Sequence, residues 1–382
     1  MALKVAVVID PWSYPYNGTV VSTRRFVAAL SDEVDFRLLA IGDRESALDS
    51  RISPFPQLSI PGFNGIIDGM KVPLANPWSR TVDVARVLAG VDLVHMQFPF
   101  FLGFDVVRQA KKMNLPILCS FHVQPENLLR NLGMTSPLLT RWLYRLFIWG
   151  LYQPADLVVT PSEFAAQLLI AHGLTTPTEV LSNGVPEEFL ALTRKPGHSK
   201  LQLLSVGRLA PEKHQATILQ AVAQSRFRDR LQLRLIGTGP LRAELEQRAK
   251  ALNLEVQIGP TDDQTLLSCY QTADLFLHAG EIELEGMSVL EAMAAGNTVL
   301  VSNSRNSAAT EFVPAESQFQ HGDSVDLARK MDCLLGDRQV REAEGQRNRA
   351  IAGQRNHQSS VAQLLGIYQI VASRGRRENA SD

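Results

Sequence analysis

Cysteine is scarce in this chain of 382 residues: Cys119, Cys269 and Cys333 stand far apart and form no CxxC pair. That speaks against zinc ligation and a disulfide framework, and for a reducing, cytoplasmic setting. Net charge is nearly absent, at −1, so there is no bulk positive field to attract nucleic acid. No apolar run reaches the roughly 18 residues that a membrane-spanning helix needs. Residues 1–10 read as a strand, without the basic start, apolar run and small-residue cleavage site of a secretory signal. Low-complexity segments are missing too. What remains is an ordinary globular balance, 45% hydrophobic and 20% charged. The length suits two domains of the usual size, roughly 100–200 residues each.

The order of elements follows from the apolar runs. Residues 5–9 are continuously apolar and end at Asp10-Pro11, as a buried parallel strand would. A loop ending at Asn17-Gly18 leads into helical spacing over residues 19–30. Further strands are predicted at 91–96, 116–121 and 157–160, with helical stretches between. A second series begins with a strand at 201–206 and a helix at 213–225. It continues with strands at 231–236, 254–258, 275–278 and 298–301. Strand and helix alternating in two series predict an α/β protein with two doubly wound, Rossmann-like domains. The polar stretch 192–200, with Lys195-Pro196-Gly197-His198-Ser199, is the expected linker. The expected division is therefore 1–190, 200–360, and a C-terminal helix and tail over 361–382, with 373–382 expected to be disordered. Ligands of open α/β sheets bind beyond the C-terminal strand ends, so two such halves predict a central cleft lined by those loops.

Two loops of the second half carry the strongest chemistry. Gly207-Arg208 through Glu212-Lys213 follows its first strand and enters a helix. Arg208 and Lys213 can converge on one anion there, and a helix start adds unpaired N–H groups. An Arg fork with a Lys point charge suits a diphosphate, although two solvated surface charges would read the same way. Downstream, Glu281, Glu283 and Glu285 crowd a strand end before Gly286, which opens a helix that Gly296 closes. Glu283 and Glu291 can border one pocket and accept hydrogen bonds from sugar or ribose hydroxyls. The plain alternative is acids favouring a helix dipole, but three exceed what a cap requires.

Other segments are less specific. Gly237-Thr238-Gly239-Pro240 begins like a dinucleotide fingerprint, but Arg242 stands where a third glycine belongs, and a tight turn explains it. Gly18 would let backbone approach a phosphate or sugar, or simply make a turn. His122 closes a strand beside Gln124, Glu126 and Asn127, at the expected cleft, though lone histidines are often structural. Residues 141–152 mix Arg141 and Arg145 with Trp142, Tyr144, Phe147, Trp149 and Tyr152. The favoured reading is a buried helix with snorkelling arginine stems. Basic residues beside aromatics are also the pattern of an interfacial helix.

Taken in order, several segments resemble the retaining GT-B glycosyltransferases of family four, over nearly the whole chain. They are Ala155 to Glu163, Ser182-Asn183-Gly184-Val185, Gly207-Arg208 through Glu212-Lys213, Ile236 to Leu241, and Glu283 through Glu291 to Gly296. The resemblance implies a cytoplasmic hexosyltransferase using a nucleotide sugar, UDP-linked, as substrate and no cofactor. Arg208 and Lys213 would hold the donor diphosphate. Glu283 would contact the transferred sugar, Glu291 the ribose, and the amides of Gly286, Met287, Ser288 and Val289 the sugar oxygens or diphosphate. The base would lie at Ile258-Gly259, Gly18 would approach the donor, and His122 would face the reacting carbon. No divalent metal is implied. Leu284 stands where the family commonly has glycine, which leaves Glu281 or Glu285 able to share the role of Glu283. Glu283-Leu284-Glu285-Gly286 with Phe121-His122 to Asn127 is similar to a subset acting on lipids and cell-surface glycans. That subset implies a glycan or lipid acceptor and contact with the inner membrane face. The alternatives are a nucleotide-sugar epimerase, a non-catalytic nucleotide-sugar-binding module and, weakest, a nicotinamide dehydrogenase.

Overall fold

The structure, a computed structural model, describes residues 2–14, 17–42, 51–59, 66–67, 72–76, 83–195 and 199–378. The chain forms two compact units, one of Met1–Ser182 with Ser360–Asp382, the other of Asn183–Ser359.

In unit one, among the described residues, seven parallel strands form one sheet: β1 (Leu3–Val8), β2 (Val34–Ile41), β3 (Ile52–Phe55), β4 (Leu93–Met96), β5 (Ile117–Ser120), β6 (Leu157–Thr160) and β7 (Thr178–Val180). Their order is β3-β2-β1-β4-β5-β6-β7. The chain winds outward one way from β1 and then the other, so a topological switch lies between β1 and β4. Each of β4, β5 and β6 is buried along its whole length, as expected of parallel strands covered on both faces. The continuous apolar runs made four of these strands legible, β1, β4, β5 and β6. β2, β3 and β7 were not foreseen: the apolar run of β2, Leu38 to Ile41, is short, and β3 and β7 have none.

In unit two six described strands form the main sheet: β8 (Leu201–Val206), β9 (Leu231–Ile236), β10 (Val256–Gly259), β11 (Leu275–His278), β12 (Val299–Ser302) and β13 (Gln318–Phe319). They too are parallel, in the order β10-β9-β8-β11-β12-β13. The switch falls between β8 and β11, which pair at Leu203 with Leu275 and Leu204 with Phe276. Apolar clusters fill both faces of this sheet. One is built around Leu203, Leu233, Leu275 and Leu300, the other around Leu204, Tyr270, Phe276 and Met293.

Three sequence expectations are corrected. Residues 192–195 do not stand free as a linker: Leu192 is buried and accepts a hydrogen bond from Arg349, and the Lys195 amide donates to Gln271. Residues 196–198 of that stretch lie outside the described residues. The chain instead passes between units at Ser182–Asn183 and returns at Ser359–Ser360. The C-terminal segment is also not a separate piece. Helix α7 (His357–Glu378) buries Leu364, Ile367, Tyr368, Val371 and Ala372 in unit one and continues helical through 373–378, because this apolar face has a sheet to cover. Residues 379–382 lie outside the described residues.

The third correction concerns the aromatic stretch. Helix α4 (Pro137–Phe147) continues into a π-helical turn at Ile148–Tyr152. Tyr144, Phe147, Ile148, Leu151 and Tyr152 are buried. Leu138, Arg141, Trp142, Arg145 and Trp149 point outward, with Leu138 79% and Trp149 76% exposed. At 3.6 residues per turn, these outward positions share one face. The helix is therefore amphipathic rather than apolar all round. Among the described residues, no helix is long and apolar enough to cross a membrane.

Candidate functional site

In unit two the loops at the switch point bring together the charged residues singled out from sequence. The loop after β8 holds Arg208 paired with the fully buried Glu212, and Lys213 paired with Glu283. Its shape is fixed by the glycine turn after β9. The Leu209 amide donates to Thr238, and the Leu241 amide donates back to Leu209. A Cβ on Gly237 would sit 2.0 Å from the carbonyl oxygen of Gly207. The glycines of this turn thus have a packing reason: they let one backbone cross another and so position Arg208.

The three acids after β11 have three separate partners. Glu281 meets the His214 Nε2 at 3.0 Å. Glu283 pairs with Lys213, and the buried His278 Nε2 lies 3.3 Å from the same carboxylate oxygen. Glu285 is buried and accepts from the backbone amide and the side-chain amide of Asn183 at 3.1 and 2.5 Å. It ties down the start of the unit. Ile282–Glu283 also pairs with Asn306–Ser307, which holds the acid loop in an extended form. Burial opposes ionisation of Glu283, but the Lys213 ammonium beside it outweighs that and holds its carboxyl below the usual range. Burial pushes His278 down to about 4, so it is a neutral imidazole near neutral pH.

Gly286, at φ 83°, then opens helix α6 (Met287–Ala294) without a side-chain cap. A left-handed residue suits glycine, and Ala309 leaves no room beside it. The Val289 amide donates to the Gly286 carbonyl at 2.9 Å, so it is committed to the turn. Met287 and Ser288 supply amides in the first turn, where backbone N–H groups lack intrahelical acceptors and the dipole end is positive. One turn on, the partly exposed Glu291 accepts a hydrogen bond from the Tyr270 hydroxyl at 3.0 Å. Ile258 and Gly259 end β10, where the Gly259 carbonyl accepts from the Gly237 amide.

Gly18 and His122 belong to unit one. Gly18 is the first residue of helix α1 (Gly18–Ala29), whose cap is the Asn17 side chain, and open space surrounds the position its Cβ would take. His122 follows β5 and is partly exposed, and the surrounding protein holds its pKa down to about 4. Beyond it, Glu126 at the start of α3, the short helix Pro125–Asn131 that precedes α4 in the chain, accepts from the Tyr144 hydroxyl at 2.9 Å.

Sequence reasoning missed His278, Tyr270, Glu212 and the His214–Glu281 contact. His278 and Glu212 had a visible signal: a histidine ends an otherwise apolar strand, and an acid sits between the two chosen cations. Tyr270 had none, since its position beside Glu291 is a product of helix packing.

Two family models match the chain in succession: "Glycosyltransferase Family 4" over residues 16–189 and "Glycosyl transferases group 1" over residues 193–351. The structure is similar to Anabaena HepE in complex with UDP, with a TM-score of 0.75, 16% identity and coverage of 96% of this chain and 99% of that one. It is similar also to a sucrose-phosphate synthase from Thermosynechococcus elongatus, with a TM-score of 0.72, 16% identity and coverage of 97% and 99%. At such identity these likenesses establish the fold. The chain belongs to the group 1 glycosyltransferases of the GT-B type.

Among curated relatives, an alpha-monoglucosyldiacylglycerol synthase of Streptococcus pneumoniae is 26% identical over 58% of this chain and 54% of its own length. A GDP-mannose-dependent alpha-mannosyltransferase of Mycolicibacterium smegmatis is 30% identical over 60% of each. The sulfoquinovosyl transferase SQD2 of Arabidopsis thaliana is 24% identical over 90% of this chain and 68% of its own. The chain thus spans between about half and two thirds of the length of these relatives.

Proposed function

We propose that this protein transfers a hexosyl unit, with retention of configuration, from a UDP-linked sugar to a hydroxyl of a lipid acceptor. The observation that carries the reading is the convergence of Arg208, Lys213 and Glu283 at the β8–β11 switch, beside the uncapped start of α6. In the transfer step a bond forms between the acceptor oxygen and the anomeric carbon. The bond from that carbon to the diphosphate oxygen breaks, and its electron pair leaves with the diphosphate. The acceptor proton passes to the departing phosphate oxygen on the same face.

The residues' roles follow from their charge. Arg208 and Lys213 are already drawn inward by Glu212 and Glu283, so the diphosphate shares two positioned cations instead of recruiting mobile ones. Glu283 then turns its acceptor oxygens to the sugar hydroxyls, and Met287 and Ser288 present their amides to the diphosphate. Glu291, oriented by Tyr270, accepts from the ribose. Ile258 lies against the base, Gly18 leaves room for backbone approach, and His122 serves as a neutral hydrogen-bonding group. In this reading no divalent metal takes part in the transfer.

The lipid acceptor and a peripheral membrane contact are supported by the outward face of α4. Tryptophan, leucine and arginine together suit the boundary of an anionic bilayer. Three relatives bear names that include diacylglycerol or phosphatidylinositol. The test is a panel of UDP- and GDP-linked sugars, each with and without liposomes containing diacylglycerol, with nucleotide release and glycolipid formation followed together. Release from one UDP-sugar that rises with liposomes and yields glycolipid is expected. Release from a GDP-sugar would replace the base. Isomerised donor without acceptor would point to an epimerase, and binding without any product to a non-catalytic module.

A further inference from the structure

Next to the donor loops lies a second cluster with a chemistry of its own. His214, Glu281 and His321 each offer one ligand atom, and those atoms all lie within 4.8 Å of one another. They come from three separate loops, after β8, β11 and β13. The rings of His214 and His321 meet edge to face with centroids 4.7 Å apart. Each of the three side chains is half-buried, so the cluster is formed but open to solvent.

We propose that this cluster is a zinc site that adjusts donor binding. Two imidazoles and one carboxylate, with a fourth position for water, form the donor set that Zn²⁺ takes in open tetrahedral sites. In such a site neighbouring ligand atoms stand about 3.3 Å apart, given bonds of about 2.0 Å, so small side-chain movements close the cluster on an ion. The supports around it are those of a ligand set. The Ser302 hydroxyl meets the Nδ1 of His321 at 2.8 Å, a contact that fixes the orientation of the ring. The His321 amide donates to Asn303. Glu281 is held on both sides: its amide donates to Glu212, and its carbonyl accepts from Ser304 at 2.6 Å. His214 sits at φ 50°, a left-handed conformation that among the described non-glycine residues it shares only with Asn114 and Asn253. Such a backbone conformation is uncommon outside glycine and sets the direction of the side chain.

The ligands are imidazole and carboxylate rather than thiolate, which is why cysteine spacing gave no sign of the site. His214 follows Lys213 directly, and Glu281 precedes Glu283 by two residues. An ion there would fix the backbone on either side of the Lys213–Glu283 pair and neutralise one carboxylate next to the diphosphate position. Zinc should therefore tighten donor binding, and donor should tighten zinc binding by the same factor. This coupling rests on the transferase reading; the site itself does not.

The experiment is a titration of the full chain carrying Cys333→Ser, which removes the exposed thiol, with zinc against a chromophoric chelator. One tightly bound zinc per chain is expected. His321→Ala should weaken it at least about tenfold, and the milder Ser302→Ala by about tenfold, with unchanged unfolding midpoints. Equal zinc affinity in the parent and in both variants would overturn the proposal, as would the lack of any stoichiometric binding. Nucleotide-sugar affinity is then measured with and without one equivalent of zinc: a severalfold tightening lost in His321→Ala is expected, and no change overturns the coupling. Zinc binding is read without turnover, so a protein that binds zinc but transfers no sugar would sink the transferase reading alone.

Discussion

At the residue scale the site is a set of paired charges. Lys213 neutralises Glu283, and Arg208 neutralises Glu212, before any substrate arrives. Lys213→Ala should lower kcat/KM about a hundredfold or more, as loss of a preorganised charge contact does. Steady-state kinetics on the active donor measures this, and unchanged turnover would remove Lys213 from the mechanism. Asp10, at the end of β1, makes a separate prediction. Its carboxyl is fully buried without a hydrogen-bond partner among the described residues, and burial pushes its pKa up to about 8 from 3.8. Folding therefore takes up a proton between those values. Asp10's contribution is fully present below about pH 4 and is lost as pH rises through 8, with a slope approaching about 1.4 kcal/mol per pH unit. Asp10→Asn should remove that slope, so the variant should gain on the parent between pH 5 and pH 8 in urea unfolding. Parallel curves would show that Asp10 is ionised in the folded protein.

At the element scale, α4 and α7 were misjudged for opposite reasons. A helix's buried face can be seen in sequence only when its other face is polar. In α4 the outward face carries Leu138, Trp142 and Trp149, so the whole stretch reads as core. The double change Trp142→Ser with Trp149→Ser should reduce co-sedimentation with anionic liposomes at least tenfold. Both side chains are exposed, so the unfolding free energy should stay within about 0.5 kcal/mol of the parent's. Unchanged sedimentation would leave the face without a membrane role. In α7 the reverse holds: a C-terminal helix was expected as a separate piece, with arginine-rich residues from 373 suggesting disorder, yet the helix runs through 378 and its Tyr368 is fully buried in unit one. Its hydroxyl meets His95 Nδ1 at 2.8 Å, while Ser120 occupies His95 Nε2 at 2.7 Å. Burial lowers His95 to about 3, so this is a neutral network. Tyr368→Phe strands a buried ring nitrogen and should cost about 1–3 kcal/mol in urea unfolding. A cost near zero would mean that water replaces the hydroxyl.

At the scale of the whole molecule, the chain order and the unit order differ. Unit two is one continuous segment, Asn183–Ser359, with its own core on both faces of its sheet. Unit one needs the C-terminal helix that follows unit two in sequence. Ending the chain after Ser359 should therefore destabilise unit one while unit two stays folded, a loss that amide hydrogen exchange would register in β2 and β4. Equal protection in both forms would show that α7 contributes little.

The sequence by itself determined the two α/β halves, most strands of unit two, and the cations and acids of the donor loops. Short apolar runs that alternate with longer helical stretches fit buried parallel strands, and charge between strand and helix then lies at the strand's C-terminal end. The tertiary structure alone decided which acid serves which partner. Glu281, Glu283 and Glu285 look equivalent in a row of alternating residues. They part because Asn183, Lys213 and His214 reach them from loops over sixty residues away. It also decided that α7 completes unit one, and that His321 joins His214 and Glu281. Such pairings depend on strand order and register, which local sequence does not encode.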